Sequence, residues 1–136
     1  MRVVLDTSVL ISGTLWLGPS HRCIRAAEAG LYEMISANEI LEEFGRVLRD
    51  KFRHSVAEAD ELVQRIRATG VLVPLTGRGG WILADPSDDK LVEAALAAAA
   101  DAIVTGDKDL LRLGRVGGIP VWTPRQLLDR LSPAAP

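Results

Sequence analysis

Short apolar runs alternate with longer stretches of helical periodicity, and this alternation constrains the fold of the chain more than any other feature. Val3-Val4-Leu5, Met34-Ile35, Val71-Leu72-Val73, Ala102-Ile103-Val104-Thr105 and Val121-Trp122 read as strands. Runs this apolar fit strands covered on both faces, as in parallel sheets. Between them, His21 to Ala29 reads as a helix stopped by Gly30. Ser36-Ala37-Asn38-Glu39 has capping-box spacing, and Ile40, Leu41, Phe44, Val47 and Leu48 then recur at helical intervals. A third helix starts from Ser55, with Glu58 in the capping position, and stops at Gly70. After the Gly77-Arg78-Gly79-Gly80 loop, Trp81-Ile82-Leu83-Ala84 leads into Asp85-Pro86-Ser87-Asp88-Asp89, which opens an alanine-rich helix through Ala100. Thr123 with Gln126 caps a closing helix. Strands joined through helices imply right-handed crossovers, hence an α/β fold: a three-layer α/β/α sandwich with a mostly parallel central sheet.

At 136 residues the chain suits a single domain, expected over residues 1–131, with a loose tail at 132–136. Hydrophobic residues make up 48% and charged residues 25%, the balance of an ordinary globular protein. The run from Ala94 to Ala100 falls far short of the roughly 20 residues that cross a bilayer, and the first residues lack a signal-peptide pattern. Cys23 is the single cysteine, which excludes an internal disulfide and a cysteine-based zinc site. A cytoplasmic location with no membrane partner is the expectation. The net charge of -2 argues against nucleic-acid binding driven mainly by counterion release. It leaves room for a nuclease, because cations bound at an acidic cluster reverse its local charge. Arg46, Arg49, Lys51 and Arg53 form the densest basic stretch; a solvated helix end and a phosphate contact are equally good readings of it.

In open α/β sheets ligands bind beyond the carboxyl ends of the strands. Asp6 follows the first strand and Asp107 follows the strand ending at Thr105, so both fall at that edge. With Phe44 at the centre of the apolar stripe, a turn of about 100° per residue sends Glu42 to water and sets Glu43 on the border of the stripe. A lone glutamate there is usually a solubilising flank residue; the other acids weaken that reading. Asp85, Ser87, Asp88 and Asp89 crowd one helix start, more than capping requires. Asp88 is the favoured site residue, although periodicity does not separate it cleanly from Asp89. Gly106 lets the chain turn so that Asp107 projects into the crevice while Asp109 begins the next helix; of these two acids, one caps and the other ligates.

Together, Asp6-Thr7-Ser8 after an apolar strand, Ser36 to Leu48 with an acid before the aromatic, Asp85 to Lys90 before an alanine-rich helix, and Thr105-Gly106-Asp107-Lys108-Asp109-Leu110-Leu111 resemble the PIN-domain family. The likeness is greatest to VapC-like members described as toxins of toxin–antitoxin systems. It spans nearly the whole chain and includes Thr123-Pro124. The resemblance implies a Mg²⁺- or Mn²⁺-dependent ribonuclease with catalytic acids at Asp6, Glu43, Asp88 and Asp107. Of these, Asp6, Asp88 and Asp107 would hold metal. It also implies supporting roles for Ser8, Asp89 and Asp109, an RNA substrate, a homodimer and a small antitoxin covering the acidic cleft. Asp89 departs from the asparagine frequent in related sequences.

The chemistry of the acids agrees. Two carboxylates about 4 Å apart repel by about 4 kcal/mol at an effective dielectric of 20, so converging acids call for a cation. Mg²⁺ takes oxygen ligands, keeps several waters and is commonly held by one or two carboxylates. No histidine or cysteine falls within the motifs, which leaves a histidine or thiol mechanism little support. A phosphohydrolase of the haloacid dehalogenase type wants an acid where Ser8 stands, and a receiver-like phosphoacceptor wants an acidic pair before the first helix. A non-catalytic RNA- or partner-binding module on the same fold is the remaining alternative. Trp16, in a loop from Ser12-Gly13 to Pro19, and Trp81 have three readings: base stacking, packing across a dimer and, most often for tryptophan, plain core.

Overall fold

The computed structural model describes residues 1–77 and 88–132. In chain order the elements are β1 (Arg2–Leu5), α1 (Thr7–Leu15), α2 (Pro19–Glu28), β2 (Glu33–Ser36), α3 (Asn38–Asp50), α4 (Val56–Thr69) and β3 (Val71–Leu72). They continue with α5 (Asp88–Ala97), β4 (Ala102–Val104), α6 (Lys108–Leu113), β5 (Arg115–Val116), β6 (Ile119–Trp122) and α7 (Pro124–Leu131). The expected Gly77–Gly80 loop beyond Gly77, the Trp81–Ala84 run, the Asp85-Pro86-Ser87 helix start and the tail beyond Ser132 lie outside the described residues.

The sheet has the order β3-β2-β1-β4-β6-β5, and every pairing is parallel except that of β5 with β6. Strand order reverses at β1. The chain first builds outward through β2 and β3, then returns to place β4 on the other side. A crevice opens where the connections diverge, at the carboxyl ends of β1 and β4. The helices complete a three-layer α/β/α arrangement. Its core gathers Val3, Val4, Leu5, Ile35, Ile103 and Val104 from the sheet with Leu10, Leu41, Phe44, Leu48 and Val92 from the helices, all essentially excluded from water.

Four local features differ from the sequence expectation. Thr7 to Leu15 is helical, so Ser12 and Gly13 lie within α1 and only residues 16–18 connect it to α2. Gly13 is there for close approach: a Cβ on it would come within 2.7 Å of the Ser20 carbonyl oxygen and 2.5 Å of Ile24 Cδ1. The capping box at Ser36 and Glu39 does not form. Ser36 pairs with Leu72 as the last residue of β2, and Ala37 takes the N-cap position without a side-chain bond. The alanine-rich helix ends at Ala97 rather than Ala100, closed by Ala99 at φ 50° and a bond from the Ala100 N–H to the Ala95 carbonyl. Finally, Gly117 and Gly118, at φ 58° and 80°, turn β5 back onto β6 as a hairpin. The boxes at Ser55–Glu58 and Thr123–Gln126 form with both reciprocal bonds.

Candidate metal centre

Parallel register brings the first acid to its partner. Leu5 pairs with Val104, so the next residues, Asp6 and Thr105, leave the sheet side by side, and the Asp6 N–H donates to the Val104 carbonyl at 2.9 Å. The fully buried Thr105 hydroxyl donates to Asp6 Oδ2 at 2.7 Å and accepts the Asp107 N–H at 3.0 Å. Ser8, in the first turn of α1, donates its hydroxyl to the same Oδ2 at 3.2 Å. Thr105 therefore fixes two of the expected acids with one side chain. Sequence reading passed it over, because a threonine ending an apolar strand looks like an ordinary β-former.

Asp6, Glu43, Asp88 and Asp107 line one cleft of about 640 Å³. Four separate segments supply them: the end of β1, the middle of α3, the start of α5 and the turn after β4. Glu43 is 20% exposed and Glu42 faces water, as the helical geometry of α3 requires. Lys90, one turn into α5, donates to Glu43 Oε2 at 2.7 Å and so ties α5 to α3 across the cleft. Asp88 lines the cleft and is buried; Asp89 is half-buried outside its lining, with Oδ1 unpartnered. Asp107 takes the capping role that was expected of one of Asp107 and Asp109. Its Oδ1 caps α6 by accepting the Asp109 N–H at 2.9 Å, while the residue also lines the cleft. The Asp109 side chain, 73% exposed, pairs with Arg112 instead.

Burial is the main cause that pushes the Asp6 carboxyl above the ordinary carboxylate range; the Thr105 and Ser8 hydrogen bonds pull it down, and the charge of Glu43 adds to the rise. A cation beside this buried acid would offset these costs and favour its charged form. The available donors are all oxygens, the chemistry that suits Mg²⁺ or Mn²⁺ over softer metals. As they stand, no three His, Cys, Asp or Glu side chains among the described residues are close enough to enclose an ion. Cys23 lies outside the cleft, buried, with its thiol pushed up to about 12 by desolvation, so it offers no competing nucleophile.

The basic stretch divides. Lys51 lines the acidic cleft, whereas Arg46 and Arg49 face the other way, into a groove of about 400 Å³ shared with Asp60 and Arg67. Among the described residues, no helix is long and apolar enough to cross a membrane.

The PIN-domain sequence profile matches residues 2–109. This chain belongs to the PIN-domain family. PIN domains are generally nucleases that act on RNA and typically use divalent metal ions. The crystal structure of PAE2754 from Pyrobaculum aerophilum superposes with a TM-score of 0.61 at 17% identity, covering 96% of this chain and 89% of that one, a likeness of fold. No curated protein sequence matches the chain.

Proposed function

We propose that this PIN domain is a Mg²⁺- or Mn²⁺-dependent endoribonuclease and the toxin of a type II toxin–antitoxin pair. The observation that carries the nuclease reading is the gathering of Asp6, Glu43, Asp88 and Asp107 in one cleft at the sheet edge. Asp6, Asp88 and Asp107 hold the ion, directly or through water. Glu43 positions the attacking water or a second ion, and the ion pair with Lys90 holds the Glu43 side chain in place. Ser8 and Thr105 orient Asp6; Asp109 contributes through the N–H that fixes Asp107. Held by Asp6, Asp88 and Asp107, a divalent ion would supply a water of lowered pKa for in-line attack on phosphorus, and a second ion, if present, would stabilise the leaving 3′-oxygen.

The toxin reading rests on the resemblance to VapC-like members. It includes a homodimer and a small antitoxin whose C-terminal segment covers the acidic cleft. Cleavage of a panel of labelled structured and single-stranded RNAs, with Mg²⁺, Mn²⁺ or EDTA, tests the nuclease. Cutting is expected with either metal and none in EDTA; full activity in EDTA would refute the metal requirement. Growth arrest on expression, relieved by Asp6→Asn, is the expected sign of a toxin.

Thr105→Val removes the hydroxyl that joins Asp6 to Asp107 at nearly constant volume. Outer-shell partners of metal ligands are typically worth about 10–100-fold in metal affinity or activity, and a loss in that range is expected here. Calorimetric titration with Mn²⁺ beside cleavage rates measures it, with Thr105→Ser expected to recover most of the loss. Unchanged Mn²⁺ affinity in Thr105→Val would remove the hydroxyl from the metal site.

A further inference from the structure

The cleft is larger than an ion and a phosphate require. Its roughly 640 Å³ lies in the range of about 300–1,000 Å³ that accommodates whole small ligands, and its far end is aromatic rather than acidic. Trp16 caps the C-terminus of α1, the helix whose opposite end starts at Asp6. A rise of about 1.5 Å per residue separates the Trp16 backbone from that of Asp6 by roughly 15 Å along the helix axis. Trp16 is 56% exposed although it is a tryptophan, and it meets Phe52 edge-to-face with ring centroids 5.7 Å apart at 74°. Along α3, Glu43, Val47 and Lys51 succeed one another at four-residue intervals on the face that lines the cleft. One wall thus runs from acid through apolar surface to cation. The Lys51 ammonium lies 5.7 Å from the Phe52 ring centroid, beside the same aromatic end.

We infer that this end of the cleft is a nucleobase subsite: Trp16 stacks on an unpaired base of the RNA strand, and Lys51 meets the backbone of that nucleotide. The inference deepens the nuclease reading and rests on it for the identity of the strand. An exposed indole beside a cation is the arrangement by which proteins hold single-stranded nucleic acid, with stacking on the π-face and charge on the phosphate. A base inside a duplex has no free face to offer. The site therefore selects single-stranded or looped RNA, and the stacked base belongs to a nucleotide neighbouring the scissile phosphate rather than bearing it. Ser12 and Ser20 also line the cleft.

The test is binding of a fluorescent single-stranded RNA of about ten nucleotides, within the usual footprint of such sites, by anisotropy in Ca²⁺. The same strand in duplex and the same strand with abasic positions serve as comparisons. Trp16→Leu should bind the single strand roughly 5- to 150-fold more weakly, the range for loss of one base–aromatic stack, while Trp16→Phe retains most of the affinity. Abasic RNA should bind the wild type more weakly and show no further loss with Trp16→Leu. Equal affinity of Trp16→Leu and wild type, or the same loss on abasic as on base-bearing RNA, overturns the subsite. A change of oligomeric state in Trp16→Leu with RNA affinity intact also overturns it and assigns the face to a second copy of the chain. Metal-dependent cleavage with RNA binding that is indifferent to Trp16 leaves the nuclease standing and the subsite refuted. Binding that depends on Trp16 in a protein that cuts no RNA does the reverse.

Discussion

Asp6→Asn is expected to reduce RNA cleavage by about 10²-fold or more and, at neutral pH without metal, to melt at a higher temperature than the wild type. Both outcomes come from one charge. Outer-shell partners of a metal ligand are worth up to about 100-fold, so a ligand itself should reach or exceed that figure. Asparagine keeps the size of the side chain and can still accept from Thr105, so the fold has no reason to fail. The stability gain follows from the direction of the Asp6 shift. Burial holds the folded-state pKa above the ordinary 3.8, so the folded protein binds this proton more tightly than the unfolded chain does. Stability then falls as pH rises from the unfolded value through the folded one, and the loss is complete above it. The advantage of Asp6→Asn should be absent at the acid end of that window and grow as pH rises through it. Added Mn²⁺ should raise the wild-type melting temperature and leave the variant's unchanged, because only the wild type binds the ion well when folded. Melting curves across pH, with Mn²⁺ or EDTA, measure both; equal melting temperatures for the two proteins at every pH would contradict this account of Asp6.

Phe44→Ala should cost about 3–5 kcal/mol of folding free energy, the range for deleting a fully buried phenyl ring. Phe44 is completely excluded from solvent and is among the largest such side chains in the core. Domains of this kind are stable by about 5–15 kcal/mol, so the loss is a large share of the total and should lower the melting temperature by on the order of 10–20 °C. The effect bears on function through α3, since Glu43 precedes Phe44 and the ring is what seats the helix against the sheet. Urea denaturation gives the free energy directly. A cost below about 1 kcal/mol would mean that neighbouring side chains collapse into the space, and that α3 is held by other contacts such as the Lys90–Glu43 pair.

The strands were legible because their apolar character is a property of consecutive residues. Val3 to Leu5, Met34-Ile35 and Ala102 to Val104 are buried on both faces and carry little else. Helix stops at Gly30 and Gly70, and the caps at Ser55 and Thr123, were legible because capping is chemistry within four residues. Features set by distant neighbours were not. Gly13 looks like a helix breaker until the Ser20 carbonyl is found against it. Ser36 looks like a cap until the pairing of β2 with β3 keeps it in the sheet. Ala99 closes α5 in a left-handed conformation with no glycine to announce it. The two glycines of the β5–β6 turn are the exception: Gly117-Gly118 between apolar residues is a local hairpin signal that sequence reading overlooked.

The sequence by itself determined the alternation of strand and helix, the oxygen-only inventory of acids, and the placing of Asp6 and Asp107 at strand ends, all of which follow from local pattern. Tertiary structure decided which acids share a cleft. Register set Asp6 against Thr105, helix phase turned Asp88 inward and Asp89 aside, and Asp107 came to cap α6 at the edge of the cleft while Asp109 faced solvent. It also decided that Trp16 stands open at the end of that cleft, with Lys51 beside it. The physical reason is the same throughout: side-chain periodicity fixes a residue's face on its own element, but the partner of that face comes from chain many residues away and is fixed only when the elements pack.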